Sequence, residues 1–421
     1  MNEQTDKEVE RSNELPYLLV AGAGALGGVV GLAYVACVTW LEGHLGPGAH
    51  GGLVHVAVMV AIGLLVGLIE HWVGSAGDVE LLVDNIHVLG GARGRRELRS
   101  LIPVSLLCIA SGGAAGPEAP LVQTTGSLGT WIAERRGLSV VQMRILTITG
   151  MAAGFTVLFG APLGAAVFAL EILHRKGLEY YEALVPSLVG AVCGYAVFAL
   201  GRMAHLEPVW HFPAEYLLAP IDLGWAVLVG IAGTVVAWGF VALTHALRKI
   251  FEQLPRPMRP MAGGLVLGLL GLWTPYALTY GEVQVESLAA SPVLWGVLAT
   301  AALGKFLGTS VTVSSGWRGG FIIPLFFLGV CGGRLLHLAV PGTNEVVLMG
   351  ALMAAINTGV TKTPLGSTLV VTAMSGVHLL PTTLTAALTT LLLSGRISLI
   401  SSQRPRAEMN GAMPAMAPST L

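Results

Sequence analysis

The stretch GGAAGPEAPLVQTTGSLG, residues Gly112–Gly129, contains one charged side chain, Glu118, which lies between two prolines. No other charge occurs between Leu101 and Trp131. A proline at a first helical position loses no hydrogen bond, so Pro117 indicates a helix start. The start of a helix leaves N–H groups unpaired and attracts an anion. We therefore expect Glu118 to supply that anion or to give way to one from solution.

The composition is that of a membrane protein. Of the 421 residues, 54% are hydrophobic and 11% are charged, whereas a soluble domain carries about 25% charged residues. The mean hydropathy is +0.73, and apolar stretches recur along almost the whole chain. The sequence predicts an all-α polytopic membrane protein. The net charge of −1 indicates nothing about partners.

Some apolar stretches are long enough to cross a membrane alone, which takes about 20 residues. Full spans are predicted at Leu18–Trp40, Leu53–Ile69, Leu184–Leu200, Leu223–Thr244 and Met261–Tyr280. Shorter or glycine-interrupted segments are predicted at Leu101–Gly116, Ile145–Leu170, Pro292–Leu303 and Val346–Thr361, and Pro364–Ser394 closes the membrane part. Interrupted segments are typical of broken helices that meet at mid-membrane. Close packing of small residues explains most of the 56 glycines.

Basic residues predict the orientation. Most lysine and arginine lies in Gly91–Arg99, Glu134–Arg136, His174–Lys176 and Arg248–Arg259. By the positive-inside rule, these loops and both termini are cytoplasmic. We expect a multi-pass protein of the cell (inner) membrane.

The chain resembles itself after about 200 residues. AAGFTVLFGAPLG at Ala152–Gly164 is similar to AAINTGVTKTPLG at Ala354–Gly366, and the pentads Gly116–Pro120 and Gly320–Pro324 share the form G-x-x-x-P. Two inverted-topology halves are predicted. The expected division is residues 1–17 as a cytoplasmic segment, 18–200 as repeat 1, 201–222 as an extracytoplasmic connection, 223–402 as repeat 2 and 403–421 as a cytoplasmic tail.

Three glycine-rich motifs, GSAGD from Gly74, GPEAP from Gly116 and GGFIIP from Gly319, occur in this order. Together they resemble the ion-binding signature of the CLC family of chloride channels and chloride/proton exchangers, whose motifs are GSGIP, GREGP and GxFxP. The resemblance covers nearly the whole membrane part. It implies a homodimer with one pore per subunit and broken helices that meet at mid-membrane.

The resemblance assigns anion-binding roles residue by residue. Ser75 matches the serine whose hydroxyl donates to chloride, and Asp78 stands where the family has proline. Glu118 falls on the gating glutamate, although Pro117 replaces the usual basic residue. The full set of anion-binding positions is Gly74, Ser75, Glu118, Ala119, Gly320, Phe321 and Ile322. The backbone N–H groups of Phe321 and Ile322 are expected to face the anion, since any residue except proline supplies one.

Two further family positions differ here. The family has a tyrosine at the inner gate, whereas SGRISLI at Ser394–Ile400 places Leu399 or Ile400 there. Many exchangers carry a second acid in a pattern that FALEILHR matches, and here Ile172 takes that place. Glu171 takes the first acid; it is either a proton relay or a structural acid at a helix end. Lys305 and Lys362 interrupt apolar stretches and either attract anions or extend to an interface.

The sequence thus predicts passage of chloride or a similar monovalent anion, gated by Glu118, with weak or absent proton coupling. A carboxylate between an apolar surrounding and a helix start is expected to exchange protons near neutral pH. A chloride/proton antiporter is the alternative, and a membrane scaffold or enzyme is the alternative of another class. No motif indicates a nucleophile, nucleotide site, cofactor or metal site. The expected partners are the anion, protons, membrane lipid and a second copy, without nucleic acid.

Overall fold

The computed structural model describes residues 15–92, 95–175, 177–202, 218–290, 292–395 and 397–405. These ranges form α-helices joined by short turns. The first half contains α1 (Tyr17–Leu45), α2 (Gly52–Val73), α3 (Val79–Leu89), α4 (Arg95–Ala110), α5 (Glu118–Arg135), α6 (Val140–Phe159), α7 (Pro162–Glu171) and α8 (Leu184–Arg202). The second half contains α9 (Pro220–Phe251), α10 (Met258–Trp273), α11 (Glu282–Ala290), α12 (Trp295–Ser314), α13 (Ile322–Ala339), α14 (Glu345–Thr361), α15 (Pro364–Ser375) and α16 (Leu380–Leu393).

Seven helices within the described ranges are long and apolar enough to cross a membrane. They are α1, α2, α6, α8, α9, α12 and α13, and several shorter apolar helices accompany them. The predicted all-helical, multi-pass architecture is confirmed. The predicted segments 1–17, 201–222 and 403–421 lie largely outside the described residues.

The helices of the two halves follow the same order. In the first half α5 has 18 residues, α6 has 20 and α7 has 10. In the second half α13, α14 and α15 have 18, 17 and 12. The helix α7 begins Pro162-Leu-Gly and α15 begins Pro364-Leu-Gly. The repeat seen in the sequence therefore corresponds to a repeat of helices.

Helices α6 and α14 form the centre of the core. Nearly every residue of α6 after Met143, and of α14 after Glu345, is buried. Glycine permits this packing: a Cβ on Gly150 would lie 2.2 Å from the Thr125 carbonyl oxygen, and one on Gly329 would lie 2.5 Å from the Met353 backbone. Both distances are below van der Waals contact, so a side chain at either position would force the helices apart.

Helix α12 is longer than predicted. The sequence indicated a short segment that ends at Leu303, but the helix continues to Ser314 with Lys305 fully buried in it. The Lys305 ammonium donates to the carbonyl oxygens of Leu278 at 2.7 Å and Thr279 at 2.6 Å, and lies 4.9 Å from the Phe327 ring centroid. Lys305 does not reach an interface, because these neighbours satisfy its charge inside the protein.

The segment Pro364–Ser394, predicted as one stretch, forms two helices. Gly376, with φ +113°, ends α15, and α16 begins at Leu380 after a single 3-10 turn. A φ in this region favours glycine. Lys362 is buried, donates to the Gly359 carbonyl at 2.7 Å and to both Ser394 oxygens at 2.8 Å, and so does not extend to an interface either.

Candidate functional site

The two halves meet at an isolated β-bridge between the G-x-x-x-P motifs. The Gly116 N–H donates to the Gly320 carbonyl at 2.7 Å, and the Gly320 N–H donates to the Gly116 carbonyl at 2.6 Å. Each glycine lies two residues before a helix, α5 and α13 respectively. The bridge therefore places two helix N-termini beside each other. Both present partial positive charge to the same region.

Glu118 is the first residue of α5, but its side chain accepts a hydrogen bond from the start of α13. Its side chain is fully buried, and its Oε1 accepts from the Ile323 N–H at 2.6 Å. Its Oε2 is buried without a hydrogen-bond partner in the described part of the chain. The N–H that Glu118 takes belongs to Ile323, one residue beyond the predicted pair Phe321 and Ile322. The carboxylate occupies the end of α13, where an anion from solution would compete for the same donor.

The bridged glycines leave room for that carboxylate. A Cβ on Gly116 would lie 2.1 Å from Glu118 Oε2, and one on Gly320 would lie 2.4 Å from it. Only a residue without a side chain fits at either position while Glu118 stays in place. Asn357 supports the same region, because its buried amide donates to the Ile322 carbonyl at 3.3 Å.

A cavity of about 560 Å³ extends from beside this bridge toward the basic stretch 248–259, where α9 ends and α10 begins. The predicted site residues Ser75, Ala119, Phe321 and Leu399 all line it. Its charged lining residues are Glu70, Asp78, Glu80 and Glu252 with Arg248, Arg256, Arg259 and Arg318. The cavity thus brings together residues from all three motifs and from the chain after α16.

A second, small cavity of about 20 Å³ lies among apolar side chains. Gly320 and Ile322 line it, together with Ile172. Val79, Ala119 and Phe321 line both cavities, so these three residues lie between them. The second cavity offers no side-chain hydrogen-bond donor.

The first motif forms an extended segment between α2 and α3. Gly74 has φ +117° and ends α2, and Ser75 is exposed to the large cavity. Asp78, the departure from the family pattern, accepts from the Leu81 N–H at 2.9 Å and caps α3. An aspartate at this position stabilises a helix start. Gly74 lines neither cavity.

The segment after α16 holds Leu399 in the cavity wall. Leu399 and Ile400 are buried, and both line the cavity. The buried Gln403 amide donates to the carbonyl oxygens of Ile172 at 2.9 Å and Thr361 at 2.8 Å. Ser401 donates to Glu80, and Arg404 pairs with Asp84. These contacts tie the segment to α3, α7 and α14.

Glu171 lies apart from the large cavity and from Glu118's helix end. It is buried at the end of α7 and accepts from the backbone N–H groups of Leu365 at 3.2 Å and Gly366 at 2.6 Å. These are N–H groups in the first turn of α15, so the carboxylate caps that helix. Its role as a proton relay stays a prediction.

Sequence reasoning missed an ion pair in the cavity wall. The Arg318 guanidinium contacts the Glu70 carboxylate at 2.9 Å. Arg318 directly precedes the GGFIIP motif, and Glu70 lies four residues before the GSAGD motif. Their proximity to two motifs is the only sequence signal that points to them.

The chain is similar in sequence to known membrane proteins. The sequence profile of a family described as "Voltage gated chloride channel" matches residues 86–395. A relative from Ralstonia nicotianae, named "Putative chloride channel protein ClcB-like", is 31% identical over 395 residues, which cover 85% of this chain and 88% of the relative. A "Chloride/fluoride channel protein" from Pseudomonas syringae pv. tomato is 28% identical over 365 residues, covering 81% of this chain and 76% of that protein.

Two solved structures share the fold. A CLC-type fluoride/proton antiporter superposes with a TM-score of 0.78 at 23% identity, over 92% of this chain and 97% of that chain. A slow cyanobacterial Cl⁻/H⁺ antiporter gives 0.77 at 22% identity, over 91% and 96%. At these identities the likeness shows a shared fold and nothing more.

Proposed function

Because this chain belongs to the voltage gated chloride channel family, we propose that it carries chloride or a similar monovalent anion past Glu118, with weak or absent proton coupling. The chain is a CLC-type anion channel or transporter and a multi-pass membrane protein. One observation carries the finer proposal: the Glu118 carboxylate occupies the N-terminal end of α13 at the junction of the two halves.

The donors near this junction suit an anion that must leave again. Helix N-termini and a hydroxyl supply partial positive charge without a full countercharge. In the proposed path, the anion enters the large cavity and meets the Ser75 hydroxyl. It then passes Ala119 and Phe321, which lie between the two cavities. Gly320 and Ile322 line the second cavity and shape the path through their backbone, whereas Gly74, which lines neither cavity, ends α2 next to Ser75.

Glu118 acts as the gate in this proposal. While its carboxylate is ionised, it competes with the permeant anion for the Ile323 N–H at the end of α13. Once protonated, it loses the charge that holds it there, and the anion takes its place. Because the gate opens by taking up a proton, anion flux increases as the pH falls.

Two departures from the family pattern favour weak coupling. Ile172, at the position of the second acid, is 2% exposed and cannot carry a proton. Leu399 stands at the inner gate position and donates no hydrogen bond. Both features favour passage of the anion over transfer of a proton. A chloride/proton antiporter is the second candidate, and the buried pair of acids Glu118 and Glu171 favours it.

We also propose that the protein lies in a cell membrane and that its large cavity opens to the cytoplasm. Arg248, Arg256 and Arg259 line it, and the positive-inside rule places their loop, with both termini, on that side. We propose further that the chain is divided into two membrane repeats, residues 18–200 and 223–402. Two copies of the chain would form a homodimer with one anion path per subunit.

Chloride efflux from proteoliposomes tests the function. Vesicles that hold the purified protein should release chloride once an ionophore dissipates the voltage, and protein-free vesicles should not. Release equal to that of protein-free vesicles would favour the scaffold or enzyme alternative. Replacing chloride by fluoride, nitrate or bromide in the same assay identifies the preferred anion.

A further inference from the structure

An ion pair joins the segment that carries Ser75 to the segment that carries Gly320. The Glu70 Oε1 accepts from Arg318 Nη2 at 2.9 Å and from Arg318 Nε at 3.2 Å. The two residues are 248 positions apart and belong to different halves. Their side chains are 18% and 20% exposed, and both line the large cavity. The pair is thus mostly withdrawn from water.

Glu70 also fixes the backbone next to Ser75. The same Oε1 accepts from the Ala76 N–H at 3.2 Å, and Ala76 is 2% exposed. Glu70 lies in the last turn of α2, where the helix dipole disfavours a negative charge. The carboxylate is retained there because donors from Arg318 and Ala76 compensate it. Ser75, between the helix end and Ala76, takes its position from this contact.

Arg318 lies in a rigid segment. The neighbouring Trp317 indole donates to the Pro260 carbonyl at 2.7 Å. On the other side, a Cβ on Gly319 would lie 2.6 Å from the Ala115 Cβ, so this backbone is packed against the loop before Glu118. Arg318 is therefore a fixed anchor from which the Ser75 segment is held.

We propose that Glu70 and Arg318 are positioning residues that hold the Ser75 hydroxyl at the anion path and thereby set anion affinity. This inference rests on the proposed function. Exposed ion pairs contribute little to stability. Here, neutralising Glu70 leaves the mostly buried Arg318 guanidinium uncompensated and leaves the Ala76 N–H with a weaker, uncharged acceptor, so the segment that carries Ser75 shifts. The effect on the anion passes through Ser75.

A double-mutant cycle tests this route. Chloride affinity is measured by isothermal titration on the full chain in detergent for wild type, Glu70→Gln, Ser75→Ala and the double variant. Glu70→Gln should weaken chloride binding several-fold. In the Ser75→Ala background the same change should have no further effect, because the hydroxyl that it displaces is already gone. Additive losses in the double variant would overturn the inference.

Glu252→Gln is the matched control. Glu252 lines the same cavity, and its substitution removes the same charge without touching the Ser75 segment. Chloride affinity should stay at the wild-type value in this variant. A rise in chloride affinity in both Glu70→Gln and Glu252→Gln would mean that cavity charge, not position, sets affinity, because each change removes a negative charge, and would also overturn the inference.

Two further measurements keep the result interpretable. Thermal unfolding and size-exclusion chromatography show whether Glu70→Gln folds. Should it fail, Arg318→Lys retains the charge but loses the two-point contact, and the same cycle with Ser75→Ala applies. A wild-type protein that binds none of chloride, fluoride, nitrate and bromide would contradict the proposed function, whereas wild-type binding with an additive cycle would contradict this inference alone.

Discussion

Glu118 has two oxygens in unequal surroundings. Its Oε1 accepts a backbone hydrogen bond at the start of α13, whereas its Oε2 is buried between two glycines without a partner among the described residues. An unpaired carboxylate oxygen in an apolar surrounding is costly. Protonation or departure of the side chain relieves that cost, so this residue has a physical reason to move.

The first prediction replaces the Glu118 carboxylate by an amide. Glu118→Gln should fold, because the amide oxygen still accepts from the Ile323 N–H, and chloride flux should lose its increase at low pH. Efflux from proteoliposomes at several pH values measures this. The exposed Glu286→Gln should keep the wild-type pH dependence. A folded Glu118→Gln protein with unchanged pH dependence would exclude Glu118 as the gate.

The second prediction concerns the Ser75 hydroxyl. Ser75→Ala should weaken chloride binding by about 10- to 150-fold without abolishing it, since a hydrogen bond to a charged group contributes about 1.5–3 kcal/mol and backbone donors remain. Isothermal titration measures the affinity, with the exposed Ser287→Ala as control. Equal affinity in Ser75→Ala and wild type would count against direct coordination by Ser75.

At the scale of elements, the proposed function assigns the bridge between the loops before α5 and α13 the role of keeping the gate closed. The third prediction is that Gly116→Ala displaces the Glu118 carboxylate, because its Cβ would lie 2.1 Å from Oε2, the flexible end of that side chain. Flux at high pH should rise toward the flux at low pH. Gly43→Ala, whose Cβ would meet nothing within 4 Å, is the control.

Proteoliposome efflux at high pH measures the effect of Gly116→Ala, and thermal unfolding shows whether the variant folds. If a folded Gly116→Ala protein kept low flux at high pH, the glycine would serve packing and not the gate. Gly116→Ala combined with Glu118→Gln should behave as Glu118→Gln alone, since no carboxylate then remains to be displaced.

Element boundaries were predicted well where glycine or proline determines them. The full span predicted at Met261–Tyr280 was wrong, because α10 ends at Trp273, before the Thr274–Pro275 pair. The starts of α5, α7, α13 and α15 follow from their proline-containing motifs. The end of α12 was wrong because Lys305 is satisfied by the carbonyl oxygens of Leu278 and Thr279, some 26 residues earlier in the chain. Such a tertiary contact leaves no local pattern.

The candidate site was predictable to a similar degree. Motif resemblance pointed to Ser75, Phe321 and Leu399, which line one cavity. Motif resemblance could not indicate that Glu118 accepts a hydrogen bond from Ile323 in the other half, since neither motifs nor helix periodicity carry information about that contact. Glu70 and Arg318 were missed for the same reason, because each charge finds its partner only after the two halves pack together.

For the whole molecule, the repeat of helices provides a physical reason why a mostly apolar protein could bind and release an anion. Two halves bring the starts of α5 and α13 to one point, and in the proposed function the partial charges of their backbone N–H groups attract the anion in place of a basic residue. Within the described ranges the buried lysines Lys305 and Lys362 donate to backbone carbonyls. These backbone carbonyls therefore compensate the two lysine charges, and the proposed anion path depends on weak donors that allow release.

The last prediction is that proton coupling is weak or absent. Coupled exchange needs a proton route from inside to Glu118 and an anion path that is never open at both ends. The buried Ile172 interrupts that route, and Glu171 is bound to the start of α15. Leu399 donates no hydrogen bond that would hold the anion at the inner gate.

Reversal potentials in planar bilayers under opposed chloride and proton gradients measure the coupling. The reversal potential should stay at the chloride equilibrium value whatever the pH gradient. Ile172→Glu supplies the missing acid beside the cavity that Ile172 lines, and it should shift the reversal potential with the pH gradient if a proton route alone is lacking. A wild-type reversal potential that already follows the pH gradient in a fixed ratio would make the protein an antiporter, with Glu171 or a water chain as its inner proton route.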